Sequence, residues 1–270
     1  MVRKGTAVND TMQRMTYGFV AATAMSFLIG STTYAGGLTS TVKGTFRLEG
    51  RGSSATCFVV KVKESQPLAL VTAAHVLDGV KDDFASVVLR RWDEGMGEYV
   101  RESRNVTIRK DDKPLWKQHP EHDVAVLELP EFDIPVDAIP VETLATADDF
   151  DHVEVGQFIR SIGYPHAGQF DPSKPGFPSV RLGCVASFPI VPYRKHPTFL
   201  VDYNTFEGDS GGPVVVEHNG TVKIVGLVEG QHWINERYNL TYQEGHIRKR
   251  LGFAIVVNAQ AITETLNQQD

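Results

Sequence analysis

Three short stretches hold residue types from which nucleophilic chemistry can be built. Ser210 lies in Gly208-Asp209-Ser210-Gly211-Gly212-Pro213. A serine hydroxyl is a weak nucleophile at its free pKa and works only beside a base. Flanking glycines let the chain turn sharply, so that amide N–H groups can face a reacting carbonyl oxygen. Read alone, the same hexapeptide is a glycine-rich turn entering a strand. His75 ends Leu70-Val71-Thr72-Ala73-Ala74-His75, an apolar run whose small residues leave room for an imidazole. Asp123 heads His122-Asp123-Val124-Ala125-Val126-Leu127, where a half-buried carboxylate can hold the second nitrogen of that ring. Singly, the histidine reads as structural and the aspartate as a solvated strand end. Jointly they offer a nucleophile, a base and an acid to orient the base.

The elements that must position them are strands. Short runs rich in Val, Ile, Phe and Thr recur between Gly, Pro and Asp/Asn turns. Six fall between Val42 and Leu129 and six between Gln157 and Val257; Asn219-Gly220 is the clearest hairpin turn. Such a pattern with little helix predicts an all-β protein. The proline-rich, acidic stretch from Pro130 to Phe150 reads as a connection, and Asn258 to Asn267 has helical spacing. The expected organisation is a leader over 1–35, a barrel over 36–135 with His75 and Asp123, and a linker over 136–150. A barrel over 151–270 with Ser210 and a short C-terminal helix completes it.

With these motifs in hand, the chain resembles the chymotrypsin-like (trypsin-fold) serine proteases. The order His, Asp, Ser matches, and 48 and 87 residues separate the three. Ser53–Val60 resembles the strand before the histidine strand and Gly226–Gly230 the substrate-binding edge strand; Gly252-Phe253-Ala254-Ile255 resembles the closing strand of bacterial HtrA-type enzymes. The resemblance implies two six-stranded antiparallel barrels and peptide-bond hydrolysis through an acyl-enzyme. Ser210 is then the nucleophile, His75 the base, Asp123 its orienting partner, and the N–H groups of Gly208 and Ser210 the oxyanion hole. The implied partner is a protein or peptide substrate, with no cofactor.

Two features depart from the family pattern. Enzymes activated by clipping expose an Ile-Val-Gly-Gly type terminus that pairs with the aspartate before the nucleophile. Asp209 stands there, but the expected mature start is Gly36-Gly37-Leu38-Thr39, which points to an enzyme competent once exported. The specificity pocket should draw on Asn204, Thr205, Glu207, Glu229, Gly230, Gln231 and the strand near Gly252. Asn204 stands where trypsin-like enzymes carry an acid. Thr205 matches glutamate-specific relatives, yet their pocket histidine is Val228 here and His232 is offset. Glu207 and Glu229 would instead suit a basic side chain, so specificity stays open.

The formal net charge of −6 over 270 residues argues against a nucleic-acid binder. Arg3, Lys4 and Arg14, an uncharged run from Tyr17 to Ile29 and Thr33-Tyr34-Ala35 form a signal-peptide pattern. Thirteen apolar residues reach about 20 Å as a helix, short of a ~30 Å bilayer core. A secreted or periplasmic protein free of the membrane after cleavage is expected. Cys57 and Cys184 sit in apolar strands and read as buried thiols. Three alternatives remain in view. Gly208–Gly212 also fits the elbow of an α/β-hydrolase esterase, although only 60 residues follow Ser210. A catalytically silent homologue acting as a binding module would keep the same motifs. His119 and His122 beside Asp123 suggest a metal, but Pro120 breaks helical ligand spacing, and no metal is expected.

Overall fold

The computed structural model describes residues 36–166, 174–218, 220–240 and 243–268; the expected leader and Asn219 lie outside them. The chain opens with helix α1 (Gly36–Lys43), where the sequence suggested only the approach to a strand. Strands β1 (Thr45–Gly50), β2 (Ser53–Lys61) and β3 (Ala69–Thr72) lead into α2 (Ala74–Gly79). Next come β4 (Phe84–Asp93), β5 (Glu98–Thr107), the small pair β6 (Arg109–Lys110) and β7 (Lys113–Pro114), β8 (Lys117–Gln118) and β9 (Ala125–Glu128). Their sheet runs β5-β4-β1-β2-β3-β9-β8 and does not close. Of the two barrels expected, a second closed one is thus not shown among the described residues. The long β4–β5 ribbon pairs with β1 only at Ser86–Val88, and its outer strand is mostly half-buried.

The expected linker holds β10 (Ile139–Pro140), which pairs in parallel with β2, and α3 (Ala147–Phe150). A reciprocal Thr146–Asp149 capping box starts α3. The second half closes as a six-stranded barrel. Its strands are β11 (Phe158–Gly163), β12 (Ser179–Val185), β13 (Thr198–Asp202), β14 (Pro213–His218), β15 (Thr221–Leu240) and β16 (Gln243–Asn258). The last two run far beyond the predicted Thr221–Val228 and Gly252–Val257, as a two-stranded arm. Helix α4 (Ala259–Leu266) follows, with the Asn258 side chain accepting the Gln260 N–H. Ser210 is followed by a strand rather than a helix, and the barrel pairs antiparallel throughout; neither fits an α/β-hydrolase elbow.

Alternation along β2, β3 and β9 shows why these strands read as unbroken apolar runs. Cys57, Val59, Leu70, Ala125 and Leu127 enter the core of the first sheet. Their neighbours Phe58, Val60, Val71, Val124 and Val126 enter a core shared with the second barrel. A strand covered on both faces has no position left for a polar residue. The three strands therefore form the seam between the two halves, and the chemistry-bearing residues lie at their ends.

Candidate active site

His75 and Asp123 meet because their strands pair. Thr72 at the end of β3 lies opposite Ala125 at the start of β9, so the residues just past each strand converge. The Nδ1 atom of His75 stands 2.5 Å from Asp123 Oδ2, and the His75 backbone N–H donates to Oδ1 at 2.8 Å. Asp123 is thus gripped at both oxygens. Its hydrogen bond holds the His75 pKa above the ordinary imidazole value, against the opposing effect of burial. Burial alone would raise the Asp123 carboxyl; the hydrogen bonds and charge from His75 outweigh it and keep the carboxyl below its usual range. The imidazole remains half exposed while Asp123 is largely covered.

Ser210 comes from the turn before β14. Gly208 and Gly211 adopt φ of 99° and 84°, values that L side chains rarely reach. A Cβ on Gly211 would also stand 2.2 Å from the Thr56 carbonyl oxygen and the Thr72 hydroxyl, so close approach to β2 and β3 requires glycine here. Thr56 clasps the turn from the other half of the molecule. Its N–H donates to the Ser210 carbonyl at 3.0 Å, and its hydroxyl donates to the Gly208 carbonyl at 2.6 Å and accepts from the Tyr164 N–H at 3.1 Å. The Glu207 carbonyl accepts the His166 N–H at 2.7 Å. In a trans peptide this turns the Gly208 N–H the opposite way. Among the described residues, neither the Gly208 nor the Ser210 N–H donates to a backbone carbonyl.

His75, Gly208 and Ser210 line one cleft of about 440 Å³, walled by the β1–β2 turn and α2 on one side and by His166 and Glu207 on the other. The Ser210 hydroxyl donates to the Glu229 carbonyl at 3.2 Å. Rotation about χ1 of Ser210 is needed to turn Oγ towards the imidazole.

Asp209 has a partner that sequence reasoning missed. It is only 1 % exposed, and Arg181 on β12 brings Nη2 to 2.5 Å from its Oδ1. The angles are not those of a hydrogen bond, so charge holds this contact. Oδ2 accepts from the Phe206 N–H at 2.7 Å and the Thr205 hydroxyl at 3.1 Å. Arg181 also donates to the Asn204 carbonyl, at 2.9 Å.

Of the residues expected in a specificity pocket, Glu207 alone lines the main cleft. Asn204 is exposed, with its Oδ1 near Gly252; Thr205 is buried and turned to Asp209. Glu229 offers its backbone carbonyl to Ser210, and its carboxyl pKa is raised by burial and by the Asp123 charge. Gly230 and Gln231 sit half-buried on β15, between two register shifts. His119 accepts the Glu121 and His122 N–H groups at Nδ1 and meets Glu264 of α4 at Nε2. Cys57 is a buried free thiol and Cys184 a half-buried one.

The chain matches the family model of the trypsin-like peptidase domain over residues 55–227. No curated protein matches it. Among solved structures it is similar to Deg5, with 17 % identity over 84 % of this chain and 89 % of that one at a TM-score of 0.51. It is also similar to an inactive form of Rv3671c from M. tuberculosis H37Rv, 17 % identical over 85 % and 87 % of the two chains at a TM-score of 0.47. The serine protease AL20, from an extremophilic microorganism, is 13 % identical over 84 % and 97 % at 0.48. At such identities the likeness to Deg5 speaks for the fold.

Proposed function

The chain belongs to the trypsin-like peptidase domain family, and from that premise we propose that it is a serine endopeptidase working through an acyl-enzyme. The reading is carried by the 2.5 Å contact of His75 with Asp123 in the cleft that Ser210 and Gly208 also line. On substrate binding, Ser210 Oγ turns from Glu229 to His75 Nε2 and attacks the scissile carbonyl as the imidazole takes its proton. The Gly208 and Ser210 N–H groups hold the oxyanion, an interaction worth about 3–4 kcal/mol per donor in comparable sites. The imidazolium, stabilised by Asp123, gives the proton to the departing amine. Water repeats the sequence on the ester and frees the acid. Protein or peptide is the substrate, and the predicted leader makes the enzyme secreted or periplasmic.

A fluorophosphonate probe tests the engine. Wild type should be labelled and Ser210→Ala should not; labelling that persists on another serine would sink the assignment. One observation favours a catalytically silent homologue instead, the Ser210 hydroxyl donating to the Glu229 carbonyl rather than to the imidazole. Folded wild-type protein that resists labelling and cleaves no peptide would decide for that reading.

A further inference from the structure

Strand β15 pairs with β14 from Thr221 to Leu227; beyond that its described partner is β16 alone. The resulting arm starts at the catalytic centre, since Glu229 at its root accepts the Ser210 hydroxyl. Side chains on a two-stranded ribbon alternate between faces, and directly paired residues share one. The pairs Trp233–Arg250, Asn235–Arg248 and Arg237–His246 therefore lie on one face. Arg248 and Arg250 stack on the Trp233 ring at 4.4 and 5.1 Å. Arg250 also covers Phe206, at 5.0 Å, and brings Nη1 within 3.4 Å of the Thr205 carbonyl. Ile234–Lys249 and Glu236–Ile247 occupy the other face, and there Glu236 pairs with Lys249. In a chain with a formal charge of −6, the part of this face nearest the barrel carries Arg248 and Arg250, while the outer pair in the same register, Asn239–Glu244, is formally acidic.

The side of the scissile bond that meets this face follows from where the proton goes. The leaving amine must approach His75, which stands on the first-sheet wall with α2. The acyl half of the substrate then lies along the opposite wall with His166 and Glu207, and Arg250 reaches that wall where it covers Phe206, whose ring packs on His166 at 4.5 Å. On the arm it is Arg250 that reaches the segment carrying Asn204 and Thr205, through the Thr205 carbonyl. This is the reverse of the preference that Glu207 and Glu229 suggested from sequence.

We propose that the β15–β16 arm is an extended subsite for acidic side chains on the N-terminal side of the scissile bond, with Arg250 innermost and Arg248 next. The proposal rests on the peptidase reading of the site. Charge complementarity of partly exposed groups sets specificity more than raw affinity, at a few-fold per pair.

The test uses quenched peptides that differ only by Glu-to-Gln or Glu-to-Lys replacements before the scissile bond. Wild type should favour Glu over Gln by about three- to tenfold in kcat/KM and disfavour Lys, and the ratio should shrink as salt rises. Arg250→Gln and the more exposed Arg248→Gln should each bring it towards one, and Arg250→Glu should invert it towards Lys. Binding of a fluorescent Glu-rich peptide to Ser210→Ala reads the arm without turnover, so retained binding together with a wild type that the probe does not label would fault the peptidase reading alone. A wild-type ratio near one, a preference for Lys, or a ratio unchanged in both glutamine variants overturns the proposal. So does binding to phosphatidylserine vesicles, lost with Arg248→Gln, without any preference among peptides.

Discussion

Asp123 contributes to the site through two hydrogen bonds to one residue, and each has a separate consequence. The bond to Nδ1 fixes the tautomer that leaves Nε2 free to accept a proton, so an amide at position 123 should favour the wrong tautomer. Asp123→Asn should lower kcat on the order of 10⁴-fold while the protein stays folded. The carboxylate also raises the His75 pKa. Only the neutral imidazole can act as base, so activity should climb with pH through that raised value. The acid limb of kcat/KM should then lie above about 6.5, the ordinary histidine value. In Asp123→Asn the residual activity should have its limb displaced to lower pH. A wild-type limb below 6.5 would contradict the hydrogen bond as described. In sequence His75 is marked by a local motif, whereas Asp123 is marked mainly by order, spacing and its place at the head of a strand. Thr56 is not marked: its hydroxyl acts on Gly208, 152 residues away, and nothing beside it in sequence sets it apart from other strand threonines.

At the scale of elements, the nucleophile turn is held from two strands. β2 supplies Thr56, and β12 supplies Arg181 to Asp209. A buried carboxylate deprived of its cation costs about 3–5 kcal/mol, because the charge stays behind without a partner. Arg181→Met should therefore lower stability by about that amount, read by chemical denaturation, and should slow fluorophosphonate labelling in the fraction that remains folded. Arg181→Lys should recover part of both. Since Arg181 already occupies the place a clipped terminus would take, blocking the N-terminus chemically should leave labelling unchanged. Arg181 escaped the sequence reading because a cation in an alternating strand looks like any solvated face. The arm escaped it for a related reason: from His232 to Arg250 the alternation persists, but the residues are polar or charged on one face, and the apolar signal for strands lapses. A short cationic run such as Arg248-Lys249-Arg250 is in sequence no different from solvated surface, and only its register against Trp233 and Asn235 gives it a direction.

The molecule as a whole is organised around the seam. One apolar core takes Phe58, Val60 and Val71 from the first sheet together with Ile159, Ile162 and Val214 from the barrel. Closure of the barrel and the openness of the first sheet depend on which distant strand ends pair, which no local pattern encodes. The seam is tied a second time by Arg90 of β4, 4 % exposed, between the rings of Phe46 and Phe177. It donates to the Tyr164 hydroxyl and to the carbonyls of Gly176 and Thr45 at 2.9 Å each, and to that of Lys43. These contacts join the first sheet, α1 and the segment beyond β11. Neither half can release its share of the common core without exposing the other, so unfolding should be a single transition despite the two sheets. Loss of probe labelling should coincide with loss of β-sheet circular dichroism in the same denaturant titration. Arg90→Met keeps the bulk but removes the guanidinium from the Lys43 and Thr45 carbonyls, while the Tyr164 hydroxyl still reaches that of Gly176 at 2.8 Å; a buried carbonyl left without a donor costs about 1–3 kcal/mol. That variant should unfold at distinctly lower denaturant, with labelling lost before the remaining β-structure, because His75 and Ser210 come from opposite sides of the interface being loosened. Two separated transitions in wild type would show that the shared core does not couple the halves.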